Sequence, residues 1–212
     1  MTATNISDTS TKLSATATGT ISAPSNLQAT AKVQRSSIPD ATYNRAVRRL
    51  TAFIQTQANT TAATVGFGWQ AVTNAPSTYP QLRGAYATSL ANQSPLPVSS
   101  LFCEDTVFGD PVVNIAFRFW HDVHHVRLGL SFELPDELEL ALWHLGEPER
   151  AGFGTASLEY ALLEADAVGQ VLLMGLARRF PFNQAVFART CVERGLAEGL
   201  AAELRRIPVD PL

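Results

Sequence analysis

The sequence predicts an all-α fold, a compact helical bundle behind a disordered N-terminal tail. Three observations carry this. Residues Met1 to about Pro39 are dominated by Ser, Thr and Ala, with too few large apolar side chains to offset ordering entropy. Beyond Asp40, apolar residues recur at three- and four-residue steps. From Asp110 onward, helix-start and helix-stop residues alternate at short spacing, which favours antiparallel helices in one domain over 40–212.

Taken in order, Asp40 is the expected cap of a helix running from Ala41 to about Thr56, with Tyr43, Val47, Leu50 and Ile54 on its apolar face. Arg45, Arg48 and Arg49 fall on the other side, as a solvated face rather than a phosphate site. Gly66-Phe67-Gly68 lacks the following Lys-Ser/Thr of a phosphate loop. A short helix is expected from Pro80 to Ala91, then a linker at Ser94-Pro95-Leu96-Pro97, then a strand or extended arm over Val98–Phe102. Asp110-Pro111 opens a helix that stops at Gly129. Leu134-Pro135-Asp136-Glu137 opens the next, expected to end near Gly146 before Pro148. A third runs from about Thr155 to Arg179, and Asn183 caps a fourth ending near Arg206.

The formal net charge of −3 argues against a strongly basic nucleic-acid binder. No apolar run of about 18 residues points to a membrane span. The N-terminus lacks a charged start followed by an apolar core, and Asp8 and the scarcity of Arg before Arg35 argue against a transit peptide. Cys103 and Cys191 form no Cys-x-x-Cys pair, read as small buried hydrophobes, and require no oxidising compartment; a cytoplasmic location is expected. Partners stay open, a homo-oligomer included.

Chemistry concentrates in Phe117-Arg118-Phe119-Trp120-His121-Asp122-Val123-His124-His125-Val126. Residues four apart on a helix stand about 40° apart, so His121 and His125 project together, flanked by His124 and Asp122. A segment this apolar is buried, and buried imidazoles need partners. The third helix offers them. Glu159, Asp166 and Gln170 share one stripe at i, i+7 and i+11 of a regular helix, while Glu164 points away and Gly169 lets a neighbour approach. In one reading His121 and His125 ligate a divalent metal (zinc, manganese or iron), Glu159 or Asp166 completes the site, and Asp122 is a further ligand, a hydrogen-bond partner of a ligand or a base, supported by His124, Gln170 and Glu164. In another, a His–Asp pair is a metal-free acid/base. In a third, the groups only satisfy one another. His144 either joins this site or caps the C-terminal end of its own helix. Trp120 and Trp143 read as core aromatics.

His121-Asp122-x-x-His125 resembles the His-Asp step of HD-domain metal phosphohydrolases, an all-helical family, and implies a metal-dependent hydrolase. That family carries a further histidine upstream, and none of the four histidines here precedes His121. The element also resembles a zincin His-Glu-x-x-His with Asp for Glu. More broadly, Trp120-His121-Asp122, Ala165-Asp166-x-x-Gly169-Gln170 and Phe182-Asn183-Gln184 resemble small uncharacterised proteins of phages and plasmids. That resemblance implies a bacterial or viral origin and no mechanism; the alternative to an enzyme, a non-enzymatic helical structural or partner-binding protein, fits the Ser/Thr/Ala-rich tail and ordinary composition.

Overall fold

The computed structural model describes residues 37–206. The expected tail therefore falls outside the described residues up to position 36, as do positions 207–212 of the expected domain.

Helix α1 spans Asp40–Val65. Pro39 occupies the cap position without a side-chain bond, and Asp40 sits in the first turn, where its carboxylate pairs with Arg189 at 2.7 Å. The helix outlasts its expected end at Thr56 because Ala58, Thr61 and Val65 continue the buried stripe of Leu50 and Ile54. Gly66, at φ 83°, ends it in the left-handed conformation that glycine adopts without steric cost.

Of the strand or arm expected over Val98–Phe102 the structure has the strand, β2, Leu96–Ser99, which starts two residues earlier within the expected linker because it pairs in parallel with β1, Trp69–Val72; Trp69 faces Leu96 and Val72 faces Ser99. Helix α2, Tyr79–Asn92, connects them, fixed at its start by a capping box between Thr78 and Gln81. The Arg118 guanidinium donates to the carbonyls of Ser99, Leu101 and Phe102, and Trp69 stacks on Phe119 at 4.7 Å. The strand pair is thereby docked on the next helix.

That helix, α3, spans Pro111–Leu128 between the Asp110 cap and Gly129, as expected. Helix α4, Leu134–Arg150, runs through Pro148 instead of stopping near Gly146. Proline removes the donor that would meet the carbonyl of His144, a cost confined here to the last turn. The N–H of Phe153 then closes the end on the Pro148 carbonyl.

The third helix is capped by Ser157 rather than starting at Thr155, and it is not regular. Helix α5, Leu158–Glu164, passes through a π-helical turn, Ala165–Gly169, into α6, Gln170–Ala177. A Cβ on Gly169 would sit 3.0 Å from Phe187 and 3.1 Å from Leu196, so glycine here does admit neighbouring helices. The expected fourth helix is two: α7, Gln184–Arg194, capped by Asn183, and α8, Leu196–Leu204. Gly195, at φ 98° and ψ 152°, breaks them apart.

Phe53, Phe119, Trp120, Leu162, Leu163 and Phe187 lie at the heart of the apolar core. Leu158–Ala177 is long and apolar enough, with mean hydropathy 1.3, to meet the measure of a membrane span; it has Leu162, Leu163 and Leu173 fully buried in the core. Cys103 and Cys191 are free and buried, and burial pushes the Cys191 thiol up to about 12.

Candidate metal centre

The site is built by the end of α3, the turn after it, and the start of α4. His121 and His125 project from successive turns of α3, and their Nε2 atoms stand 2.8 Å apart. At Gly129, φ 74°, the chain folds back so that Leu130 presents its carbonyl to His125 Nδ1 at 3.0 Å. An Nδ1–H donated there leaves His125 Nε2 as a bare lone pair aimed at His121. The loop is held by Asp136, whose carboxylate accepts from the N–H and hydroxyl of Ser131; those bonds hold its carboxyl below the ordinary value.

One residue on, Glu137 completes the cluster. Its carboxylate oxygens lie 3.3 Å from His121 Nε2 and 3.5 Å from His125 Nε2. The three ligand atoms all fall within 4.8 Å of one another. Around a zinc ion with bonds near 2.0–2.1 Å, tetrahedral neighbours stand about 3.3 Å apart; the two His–Glu separations match this, and the 2.8 Å between the imidazole nitrogens would open by about 0.5 Å to admit the ion. His125 is fully buried, whereas the His121 and Glu137 side chains are 23% and 26% exposed, which leaves an open side to the cluster. Burial opposes ionisation of Glu137, but the two imidazoles outweigh it and bring its carboxyl down to about 2.

His144 joins the cluster instead of capping its helix. It is fully buried, its Nε2 lies 3.2 Å from His121 Nδ1, and its ring packs 4.1 Å from Trp120. Burial, together with the neighbouring histidines, pushes it well below the ordinary imidazole value, so it is neutral. His124 is likewise neutral. Its Nδ1 lies 2.7 Å from the Trp120 carbonyl, its ring stacks on Trp143, and burial brings it down to about 4. Asp122 is partly buried within the field of His121, His125, Arg118 and Glu137; burial outweighs the lowering effect of His121, His125 and Arg118 and lifts its carboxyl to about 6.

The acidic residues of the third helix go elsewhere. Glu159 pairs with Arg49 of α1 at 2.8 Å, and neither it nor Asp166 belongs to the metal-sized cluster. Asp166 is buried and accepts from Gln170 at 2.6 Å; burial lifts its carboxyl to about 7. Glu164 edges a separate 160 Å³ cavity with Cys191 and Leu196. The structure thus brings His121 and His125 together and closes them with Glu137 rather than with Glu159 or Asp166. The reason is that the third helix packs against α1 and α4 rather than against α3, and its stripe is broken as well. One extra residue in the π turn rotates everything beyond it by about 100° relative to a regular helix, so the three residues no longer share a stripe. Glu137 escapes sequence reading because an acid in a first turn is accounted for by the helix dipole. A signal existed: Glu137 and His144 are seven residues apart and share one face of α4.

No protein-family model, curated protein or solved structure matches this chain.

Proposed function

We propose that the protein binds a divalent metal through His121, His125 and Glu137 and uses it in hydrolysis. The observation that carries this is the meeting of three ligand atoms from two helices within 4.8 Å, with one side of the cluster accessible. Two imidazoles and one carboxylate are the ligand set of hydrolytic zinc sites, which keep an open position for water. A divalent ion supplies Lewis acidity and an activated water there. The chain's own residues do the rest. Leu130 orients His125, Glu137 bridges the histidines as an anion, and Asp122, in the field of the same cluster, is positioned to hold a proton. Zinc leads on this donor set, with manganese and iron as alternatives.

A non-enzymatic reading, a partner-binding helical protein of a phage or mobile element, draws support from Leu134, Leu142 and Leu176, which α4 and α6 leave exposed. The two readings separate on metal and turnover. Purified full-length protein should carry close to one equivalent of metal by elemental analysis, or take up zinc stoichiometrically after chelation. Glu137→Gln should weaken uptake at least tenfold, whereas Glu159→Gln should leave it unchanged. Wild-type protein that takes up none of the three metals refutes the metal reading. Metal uptake without hydrolysis of phosphoester, ester or amide model substrates favours the non-enzymatic one.

A further inference from the structure

A third imidazole beneath a two-histidine site calls for a reason. His144 is fully buried, and its Nδ1 has no hydrogen-bond partner among the described residues. Around it stand Trp120, with ring centroids 4.1 Å apart, and Phe117, at 5.6 Å. A buried polar ring with one unsatisfied nitrogen is costly, and leucine or phenylalanine would pack among those neighbours without that cost. The one polar atom His144 addresses is His121 Nδ1, at 3.2 Å.

We propose that His144 is a positioning residue for the metal centre: its Nε2 accepts the Nδ1–H of His121 and so presents the His121 Nε2 lone pair to the ion. This rests on the metal reading above. An imidazole that ligates through Nε2 must carry its proton on Nδ1, and a proton there needs an acceptor when it points into an apolar interior. His125 has such an acceptor in the Leu130 carbonyl. His121 points inward at His144 instead, and the interior offers it that nitrogen. The two ligands are therefore oriented by different means, one by a backbone carbonyl and the other by a side chain.

The arrangement also specifies where the protons sit without metal. His121 Nε2 and His125 Nε2 cannot both be bare at 2.8 Å, and His125 Nδ1–H is committed to Leu130. His121 then carries its proton on Nε2 and accepts at Nδ1 from His144 Nε2–H. Metal binding moves the proton of each of His121 and His144 from Nε2 to Nδ1, and the N–H it leaves on the unpartnered His144 Nδ1 is a cost that the metal bonds offset. Every ring keeps one proton: the His144 Nε2 proton passes to His121 Nδ1 across their 3.2 Å contact, the His121 Nε2 proton leaves to solvent at the exposed edge, and the buried His144 Nδ1 gains its proton through a local opening of the fold.

The test uses full-length protein, zinc, and two variants. His144→Leu removes the acceptor, while His144→Gln offers an amide oxygen in its place. Zinc affinity, by competition with a chromophoric chelator, should fall 10–100-fold in His144→Leu and recover to within a few-fold of wild type in His144→Gln. Long-range ¹H–¹⁵N spectra of wild type should show His121 protonated on Nε2 without zinc and on Nδ1 with it. A folded His144→Leu that binds zinc as wild type does overturns the proposal. If that variant does not fold, a His121 that keeps its proton on Nε2 in the zinc-loaded wild type overturns it equally. Wild type that binds no zinc removes the metal reading itself, and this role with it.

Discussion

Two bare imidazole nitrogens 2.8 Å apart repel unless a proton or a cation lies between them, and at the residue scale that distance is the most informative contact in the molecule. Asp166 poses a different problem. Its carboxyl is buried with one amide as partner, and burial lifts it to about 7, from an ordinary value of 3.8. The folded protein therefore holds this proton more tightly than the unfolded chain. Between about pH 4 and pH 7 the unfolded state has lost the proton while the folded state keeps it, so stability falls as pH rises across that window and levels off above it. Asp166→Asn keeps the acceptor for Gln170 and removes the charge. Its melting temperature should match wild type near pH 4 and exceed it near pH 8, by the equivalent of up to about 4 kcal/mol. Thermal unfolding of both proteins across that range checks this; equal shifts at both ends would show that Asp166 ionises freely in the folded state.

At the scale of elements, two irregularities decide what meets what. The π turn rephases α6 against α5; Glu159, ahead of it, pairs with Arg49 of α1, and Asp166, within it, bonds to Gln170. The break at Gly195 lets α8 fold back on α7, so closely that a Cβ on Gly199 would fall 2.3 Å from Cys191 Sγ. Arg179 and Arg206 then close on Glu203, joining the end of α6 to α8. At φ 98° and ψ 152°, Gly195 occupies backbone space that other residues reach only under strain. Gly195→Ala should therefore cost about 1–3 kcal/mol in denaturant unfolding, although a Cβ there would meet nothing within 4 Å. A loss below about 0.5 kcal/mol, the usual range for a surface change, would mean that the break does not depend on glycine.

For the whole molecule, an ion held by the proposed site would clamp α3 to α4, since His121 and His125 stand on one helix and Glu137 on the other. An ion that binds the folded state alone stabilises it by about 2.7 kcal/mol at a hundredfold excess over its dissociation constant. Zinc should accordingly raise the melting temperature of wild type and leave that of Glu137→Gln nearly unchanged; equal shifts in the two would place the ion elsewhere. Much of this architecture was legible in sequence. Asp110, Gly129 and Asn183 mark helix ends through their own backbone and side-chain bonding, and the α3 periodicity brings His121 beside His125, because those effects act within a few residues of one chain. The reach of α1 to Val65, the passage of α4 through Pro148, the π turn and the pairing of β1 with β2 were not, because each depends on packing against distant residues. The same division runs through the site. Local helical geometry by itself determined that two histidines share a face. Only the tertiary structure decided that Glu137 and His144 meet them while Glu159 and Asp166 do not, because the partner of a buried polar group is set by which helix packs against it and in what phase.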